Sequence, residues 1–366
     1  MVILDLKLDN IYCFNDFEIN FSYPKKIVNS VIEEEHLPER PNFKYKKVVV
    51  LMGSNATGKT CFGKAIYNIF RFLKNEDYNV LLSMRADTSR PASLSIDFVN
   101  DGCKLQRLLI DIPSSKNSKP YICHQMASIN KNDNYNKAVA RLEEKRIEYH
   151  DFLEAMKGIS QEIGLINNQF AYPEIQSSLK IENLDQKLLL NIFKAVIGTL
   201  DPSLSDISVS KDLKNTFIIR RKQEEIIIQE GKLLNREILS SGTAEGIDVA
   251  VLLANMFSGN EGFYYCDEHF SYIHSDIEKR IFGIMLGKLG HSEQLIFTTH
   301  NTDMLDLNLP KHSYAFLSKR MVDGEPKILS LYASDILKRN TDSLRCAVEN
   351  DVFASLPDDS LLDELE

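Results

Sequence analysis

The chain has 366 residues, 43% of them hydrophobic and 26% charged, which suits a globular protein of one large elaborated domain or two domains. Its net charge of −9 does not indicate a nucleic-acid partner, although a local basic face stays compatible with it. The longest apolar run, Val249 to Phe257, is too short for a bilayer, no signal peptide is legible in Met1 to Asp5, and six scattered cysteines (Cys13, Cys61, Cys103, Cys123, Cys266, Cys346) form no C-x-x-C pair. The expectation is a cytoplasmic protein with reduced thiols, no membrane association and no structural zinc.

In chain order, Leu4, Leu6 and Leu8 and then Phe14, Phe17, Ile19 and Phe21 alternate with polar residues and predict an antiparallel hairpin. The Pro- and charge-rich stretch from Pro24 to Pro41 predicts a surface insertion. Val48 to Met52 then predicts a buried strand running directly into Gly53-Ser54-Asn55-Ala56-Thr57-Gly58-Lys59-Thr60, which is G-x-x-x-x-G-K-T. A triphosphate needs several backbone N–H groups turned inward, so Gly53 and Gly58 stand where a Cβ would obstruct the turn. Lys59 supplies a cation for the β- and γ-phosphates, and the Thr60 hydroxyl is a ligand for Mg²⁺. The helix expected from Lys59 to Lys74, with Cys61 in its first turn, aims its positive end at the same anion. A plain Gly-rich turn would not explain the β-branched strand before it or Phe62, Ile66, Ile69, Phe70 and Leu73 after it. Residues 53–61 therefore predict a nucleoside-triphosphate site.

Residues 92–112 predict a second hairpin turning at Asp101-Gly102, and Ser114 to Pro120 a polar loop. From Tyr135 to Gln169 the apolar residues Val139, Leu142, Phe152, Met156, Ile159 and Ile163 recur at helical intervals, and helix is expected again over Leu188 to Ile197. Residues 204–230 predict strands. The helical part lacks sustained heptads, so it predicts a compact lobe and no coiled-coil arm. Past Gly246, helix and apolar strand alternate to about residue 332, as in a parallel sheet. The acidic tail from Pro357 to Glu366 carries Leu361, Leu362 and Leu365 at helical spacing.

Three later segments narrow the chemistry. Leu239-Ser240-Ser241-Gly242-Thr243 precedes an apolar helix and offers either a phosphate site or an ordinary N-cap at Ser240 or Ser241. Phe263 to Asp267 is an apolar strand ending in the Asp267-Glu268 pair. Asp267 can reach Mg²⁺ and Glu268 can orient an attacking water. Leu295 to Thr299 is another apolar strand, whose end places His300 to hydrogen-bond a γ-phosphate or hold that water.

Together these segments resemble the ABC-type ATPase family, which includes structural-maintenance, Rad50-like and RecF-like DNA ATPases and the overcoming-lysogenization-defect nucleases. The resemblance implies an α/β fold with mixed antiparallel and parallel sheets and an inserted helical lobe. It maps Walker A to Gly53–Thr60, the signature to Leu239–Thr243, Walker B to Phe263–Asp267 with Glu268 catalytic, and the switch histidine to His300. Lys59 joins Glu268 and His300 as a catalytic residue, and Ser240, Ser241, Gly242 and Thr243 join residues 53–61 around the nucleotide. ATP and Mg²⁺ are the implied cofactors, with Thr60 and Asp267 as metal ligands. The implied divisions are residues 1–125 and 236–340 as two ATPase lobes, 126–235 as the insertion and 341–366 as the tail.

The signature is Ser-Ser-Gly-Thr instead of Ser-Gly-Gly-Gln, a form similar to stand-alone ATPases of bacterial anti-phage and abortive-infection systems. The segment from Arg339 to Pro357 resembles that group as well. The family's glutamine loop has three candidates, Gln106, Gln125 and Gln169, which the sequence does not separate. No second acidic cluster after His300 looks like a fused Toprim centre. What the resemblance implies is a regulatory ATPase of a PARIS-like defence complex. It would form a homodimer or larger homo-oligomer through an ATP sandwich. Its partners would be a separately encoded, nuclease-like effector and a phage-encoded trigger. A RecF- or Rad50-like DNA-maintenance ATPase is the alternative, with Lys44, Lys46, Lys47 and Arg220, Arg221, Lys222 as basic candidates. A transporter subunit is a third, disfavoured by the signature and the lobe before it.

Overall fold

The computed structural model describes the chain apart from residues 29, 101–102, 115–119, 146–151, 164–167, 172–178, 180, 182–183, 205, 222–223, 235, 260–261, 323, 340–341 and 356–366. It divides into two units, Met1–Ile166 with Asn308–Glu366, and Asn167–Leu307.

The first unit holds an antiparallel sheet in the order Phe17–Asn20, Val2–Asp9, Ala92–Val99, Lys104–Ile112, Tyr121–Ser128, Glu143–Lys145. The register Leu6↔Ile19 and Leu8↔Phe17 gathers the alternating apolar side chains on one face, as the sequence pattern requires. Against it lies the helix Lys59–Asn75, seated by Phe62 on Phe17 and Phe21 (ring centroids 6.3 and 6.2 Å) and by Phe70 edge-on to Phe98 (5.8 Å). The strand Val48–Met52, all five residues buried, pairs in parallel through Val50, Leu51 and Met52 with Tyr314–Val322, which returns antiparallel as Glu325–Tyr332. A strand covered on both faces has no reason to alternate, which accounts for its unbroken apolar run.

Four expectations need correction or restriction here. The Asp101-Gly102 turn and the acidic tail lie outside the described residues, although Val99↔Leu105 pairing does join the two strands beside that turn. The segment from Pro24 to Pro41 is not wholly a surface insertion. Leu37 sits in a buried cluster with Val2, Leu4, Phe43 and Tyr45, and Glu35 is buried against His312 at 2.6 Å. The helical run expected over Tyr135–Gln169 is broken into the helix Tyr135–Val139, the strand Glu143–Lys145, the helix Phe152–Ile163 and the strand Asn168–Ala171. Tertiary contacts override the local periodicity. The Tyr135 hydroxyl donates to Asp97 (2.6 Å), while Val139 and Leu142 pack on the same buried cluster.

The basic run at Lys44–Lys47 is also not a nucleic-acid-facing surface. Lys46 and Lys47 are 6% and 2% exposed, and their ammonium groups donate to the carbonyls of Asn20 (2.6 Å) and Glu33 (2.9 Å). Lys46 also stands 3.3 Å over the Tyr332 ring. Burial drives its pKa from 10.5 down to about 7. Between those values the unfolded chain binds the extra proton, so this group makes stability rise with pH from about 7 to 10.5. Urea titrations across that window should show the rise, and Lys46→Met should flatten it.

In the second unit Asn168–Ala171, Phe263–Asp267 and Gln294–Thr298 form a parallel sheet, with Phe170↔Tyr265 and Asp267↔Thr298 in register. The helix Ser275–Leu286 packs on it through Phe282 and Phe297 (4.9 Å). Asp206–Val209, Thr216–Arg221, Glu224–Gln229 and Lys232–Leu233 form an antiparallel sheet, and Phe193 of the helix Gln186–Leu200 meets its Phe217 edge-on (5.0 Å). The helix Ser241–Phe257 is buried along nearly its whole length, and Gly246 leaves the space where Leu200 lies. Among the described residues no helix is long and apolar enough to cross a membrane.

Candidate functional site

The loop in the first unit is shaped by its two glycines. A Cβ on Gly53 would lie 2.5 Å from the Leu317 carbonyl oxygen and 2.7 Å from Thr57 Oγ1. Gly58 has φ +93° and caps the helix Lys59–Asn75 without a side chain, with Cys13 Sγ and Phe14 filling the space a Cβ would need. The Thr57 hydroxyl donates to the Ser54 carbonyl (2.8 Å), and the Lys59 ammonium donates to the carbonyls of Gly53 (2.7 Å) and Ser54 (3.1 Å). The loop thus folds around its own lysine, with Asn55 and Ala56 exposed at the tip and Thr60 and Cys61 half-buried at the start of the helix. Because the obstacle at Gly53 is backbone, Gly53→Ala should cost about 1–3 kcal/mol in urea unfolding, an overpacking penalty.

The second unit carries the acidic group. Asp267 is 2% exposed and its Oδ1 accepts from the Thr298 hydroxyl (2.9 Å). The next residue, Glu268, has φ +50°, a left-handed conformation that costs energy for a non-glycine residue. Its N–H donates to Thr298, with the carbonyl at 3.2 Å and Oγ1 at 3.0 Å. This turn swings the carboxylate out of the strand line toward His300, whose Nε2 is 2.7 Å from Glu268 Oε2. A carboxylate can only accept, so Nε2 carries the proton of that bond. Glu268 and His300 are partly exposed, at 24% and 39% of their side chains, whereas Asp267 and Thr298 are enclosed.

Of the two cap candidates, Ser240 is the N-cap of Ser241–Phe257. Its Oγ accepts from the Thr243 N–H (3.2 Å) and bonds Thr243 Oγ1 (2.7 Å). Ser240 and Ser241 are exposed. A Cβ on Gly242 would meet the Tyr272 carbonyl oxygen at 2.8 Å, so the segment after Glu268 runs against the first turn of this helix. The glutamine candidates stay unseparated: Gln106 is buried against His124 (3.0 Å), Gln169 is buried in a parallel strand, and Gln125 is in the strand Tyr121–Ser128.

Sequence reasoning missed Glu278. It is 1% exposed, and its two oxygens accept from the Thr299 hydroxyl (2.8 Å) and the Asn301 amide (2.6 Å), which braces the residues flanking His300. Burial raises its pKa, and those two hydrogen bonds work the other way. The signal was present in the sequence. Glu278 falls on the Ile281–Phe282–Met285 face of its helix, where a carboxylate is out of place unless it is paired.

No group of three or more His, Cys, Asp or Glu that could hold a metal ion occurs among the described residues.

No family model and no curated protein matches this sequence. Solved structures do match. One is the head domain of the SMC protein with an extended coiled coil bound to the C-terminal domain of ScpA, derived from Pyrococcus furiosus. It is 12% identical over 92% of this chain and 98% of that one, with a TM-score of 0.52. The fold is similar to an SMC head. Two further SMC heads align less closely in space. An SMC head bound to the C-winged helix domain of ScpA shares 14% identity over 93% and 100% of the two chains, at TM-score 0.48. The head from Thermotoga maritima shares 15% over 90% and 99%, at TM-score 0.43.

Proposed function

We propose that this chain is an ABC-type ATPase that binds ATP with Mg²⁺ and hydrolyses it. The observation that carries the reading is the Glu268–His300 contact at 2.7 Å, at the end of a fully buried parallel strand. A carboxylate held out of the strand line beside a hydrogen-bond donor is suited to orient a water for in-line attack on a γ-phosphate. Lys59 and the N–H groups of residues 53–61 hold the phosphates, Thr60 and Asp267 supply oxygens to Mg²⁺, and Mg²⁺ neutralises the charge that develops on the phosphates. Exposed Ser240 and Ser241, with Gly242 and Thr243, cap the nucleotide of a second copy, which makes the working form a homodimer or larger homo-oligomer.

The proposed role is regulatory. The chain acts in the cytoplasm as sensor of an anti-phage defence complex and controls a separately encoded, nuclease-like effector under a phage-encoded trigger. The Ser-Ser-Gly-Thr signature and the segment from Arg339 to Pro357 support this role, and an SMC head bound to part of ScpA is an example of a similar fold holding a protein partner. A DNA-repair role has less support, because Lys46 and Lys47 are buried and Arg220 is paired with Glu225 at 3.2 Å. Expression of this chain alone should be harmless. Co-expression with its neighbouring gene should arrest growth on phage infection. Nucleic-acid cleavage or growth arrest from this chain alone would overturn the regulatory reading.

A further inference from the structure

The second unit contains a link that the proposed chemistry does not use. His269, fully buried, follows Glu268 directly. Its Nδ1 lies 3.0 Å from the carbonyl oxygen of Asp267, and its Nε2 lies 3.2 Å from Asp248 Oδ2. A carbonyl oxygen only accepts, so Nδ1 donates and the ring's orientation is fixed. Asp248 belongs to Ser241–Phe257, the helix capped by Ser240. One turn earlier on that helix, Glu245 is 3% exposed and its Oε2 is buried without a partner among the described residues. With Gly242 against Tyr272, the capped helix therefore meets the segment after the acidic strand at two places, one steric and one polar.

We propose that His269 is a positioning residue that ties the helix carrying Ser240–Thr243 to the Asp267–Glu268 backbone, so that engagement of the helix start is felt at the carboxylates. The proposal rests on the ATPase reading for its functional meaning. The mechanical tie itself stands on the two contacts. A helix anchored through Asp248 to the Asp267 carbonyl cannot shift along its axis without loading that carbonyl. The carbonyl belongs to the residue proposed to face Mg²⁺, one peptide before the proposed base. Partners of this indirect kind typically change metal affinity or activity by about 10–100-fold when removed.

Two substitutions split the link. In His269→Asn the amide can replace Nδ1 at the Asp267 carbonyl but does not reach Asp248, while Asp248→Ala removes the group that meets Nε2. Four quantities decide the matter: Tm, affinity for trinitrophenyl-ATP, kcat, and amide hydrogen exchange of the peptide covering 263–270 without nucleotide. The expected result for both variants is faster exchange in that peptide and kcat lower by about 10–100-fold, with affinity kept within about threefold. The double variant should fall no further than either single one, since both cut the same link. A lower Tm with unchanged exchange and unchanged kcat per folded chain would mean a mere core residue and overturn the proposal. If His269→Asn does not fold, Asp248→Ala carries the comparison alone. A wild-type chain that neither binds nor hydrolyses ATP would sink the ATPase reading instead, and the exchange measurement would still decide whether the tie exists.

Discussion

Lys59→Ala should lower ATP affinity by about 10–100-fold, the equivalent of losing one hydrogen bond to a charged group at ~1.5–3 kcal/mol. In the structure Lys59 is 4% exposed and its ammonium is held by the Gly53 and Ser54 carbonyls, so its position is set before any ligand arrives. A preset cation loses little side-chain entropy on binding. The substitution leaves Phe62, Ile66 and Phe70 in place, so the helix Lys59–Asn75 keeps its seat on the sheet. Isothermal titration with ATP and Mg²⁺, beside a melting curve, checks both halves. A folded Lys59→Ala chain that binds ATP as tightly as wild type sinks the phosphate-loop assignment.

Glu268→Gln should reduce hydrolysis by about 10²–10⁴-fold, the usual contribution of a general base, while ATP binding survives. Glutamine matches the carboxylate in shape and can still meet His300, but it cannot take a proton from water. An ATP-bound assembly of more than one chain should then accumulate, visible as a larger species in light scattering. The wild-type rate per chain should climb with protein concentration, because the proposed cap comes from a second copy. A rate per chain that is flat over a hundredfold dilution, with the protein monomeric throughout, would remove the sandwich.

The parts of the site readable in the sequence were those whose chemistry demands a fixed local order. Gly53, Gly58, Lys59 and Thr60 sit on one continuous turn, and the strand and helix on either side carry their own apolar patterns. Glu268 and His300 stand out in the sequence because each lies just past the end of an apolar strand. What stayed hidden depends on contacts distant in sequence. Nothing near Asp248 announces His269, and Lys46 reads as a surface charge until Tyr332 is placed beneath it. The strand Asn168–Ala171 is four residues long, too short for any period, and is defined by its parallel partner at Phe263–Cys266. The expected helix over 135–169 failed for the same reason, since Tyr135, Val139 and Leu142 answer to a cluster built from Val2, Leu4 and Leu37.

The pairing of Val48–Met52 with Tyr314–Val322 has a consequence for how the protein is made. The carbonyl of Leu317 walls the space beside Gly53, yet it leaves the ribosome long after the loop itself. At about 5–20 residues per second the glycine-rich turn waits many seconds for the strand that completes its surroundings. Until then Val48–Met52 lacks its Tyr314–Val322 neighbour, and the nascent first unit has an unfinished sheet. Ribosome-bound chains halted before Asn308 should therefore fail to retain ATP, whereas chains released after Tyr332 should hold it. On the ATPase reading, the loop gains its finished surroundings only once Tyr314–Val322 has left the ribosome.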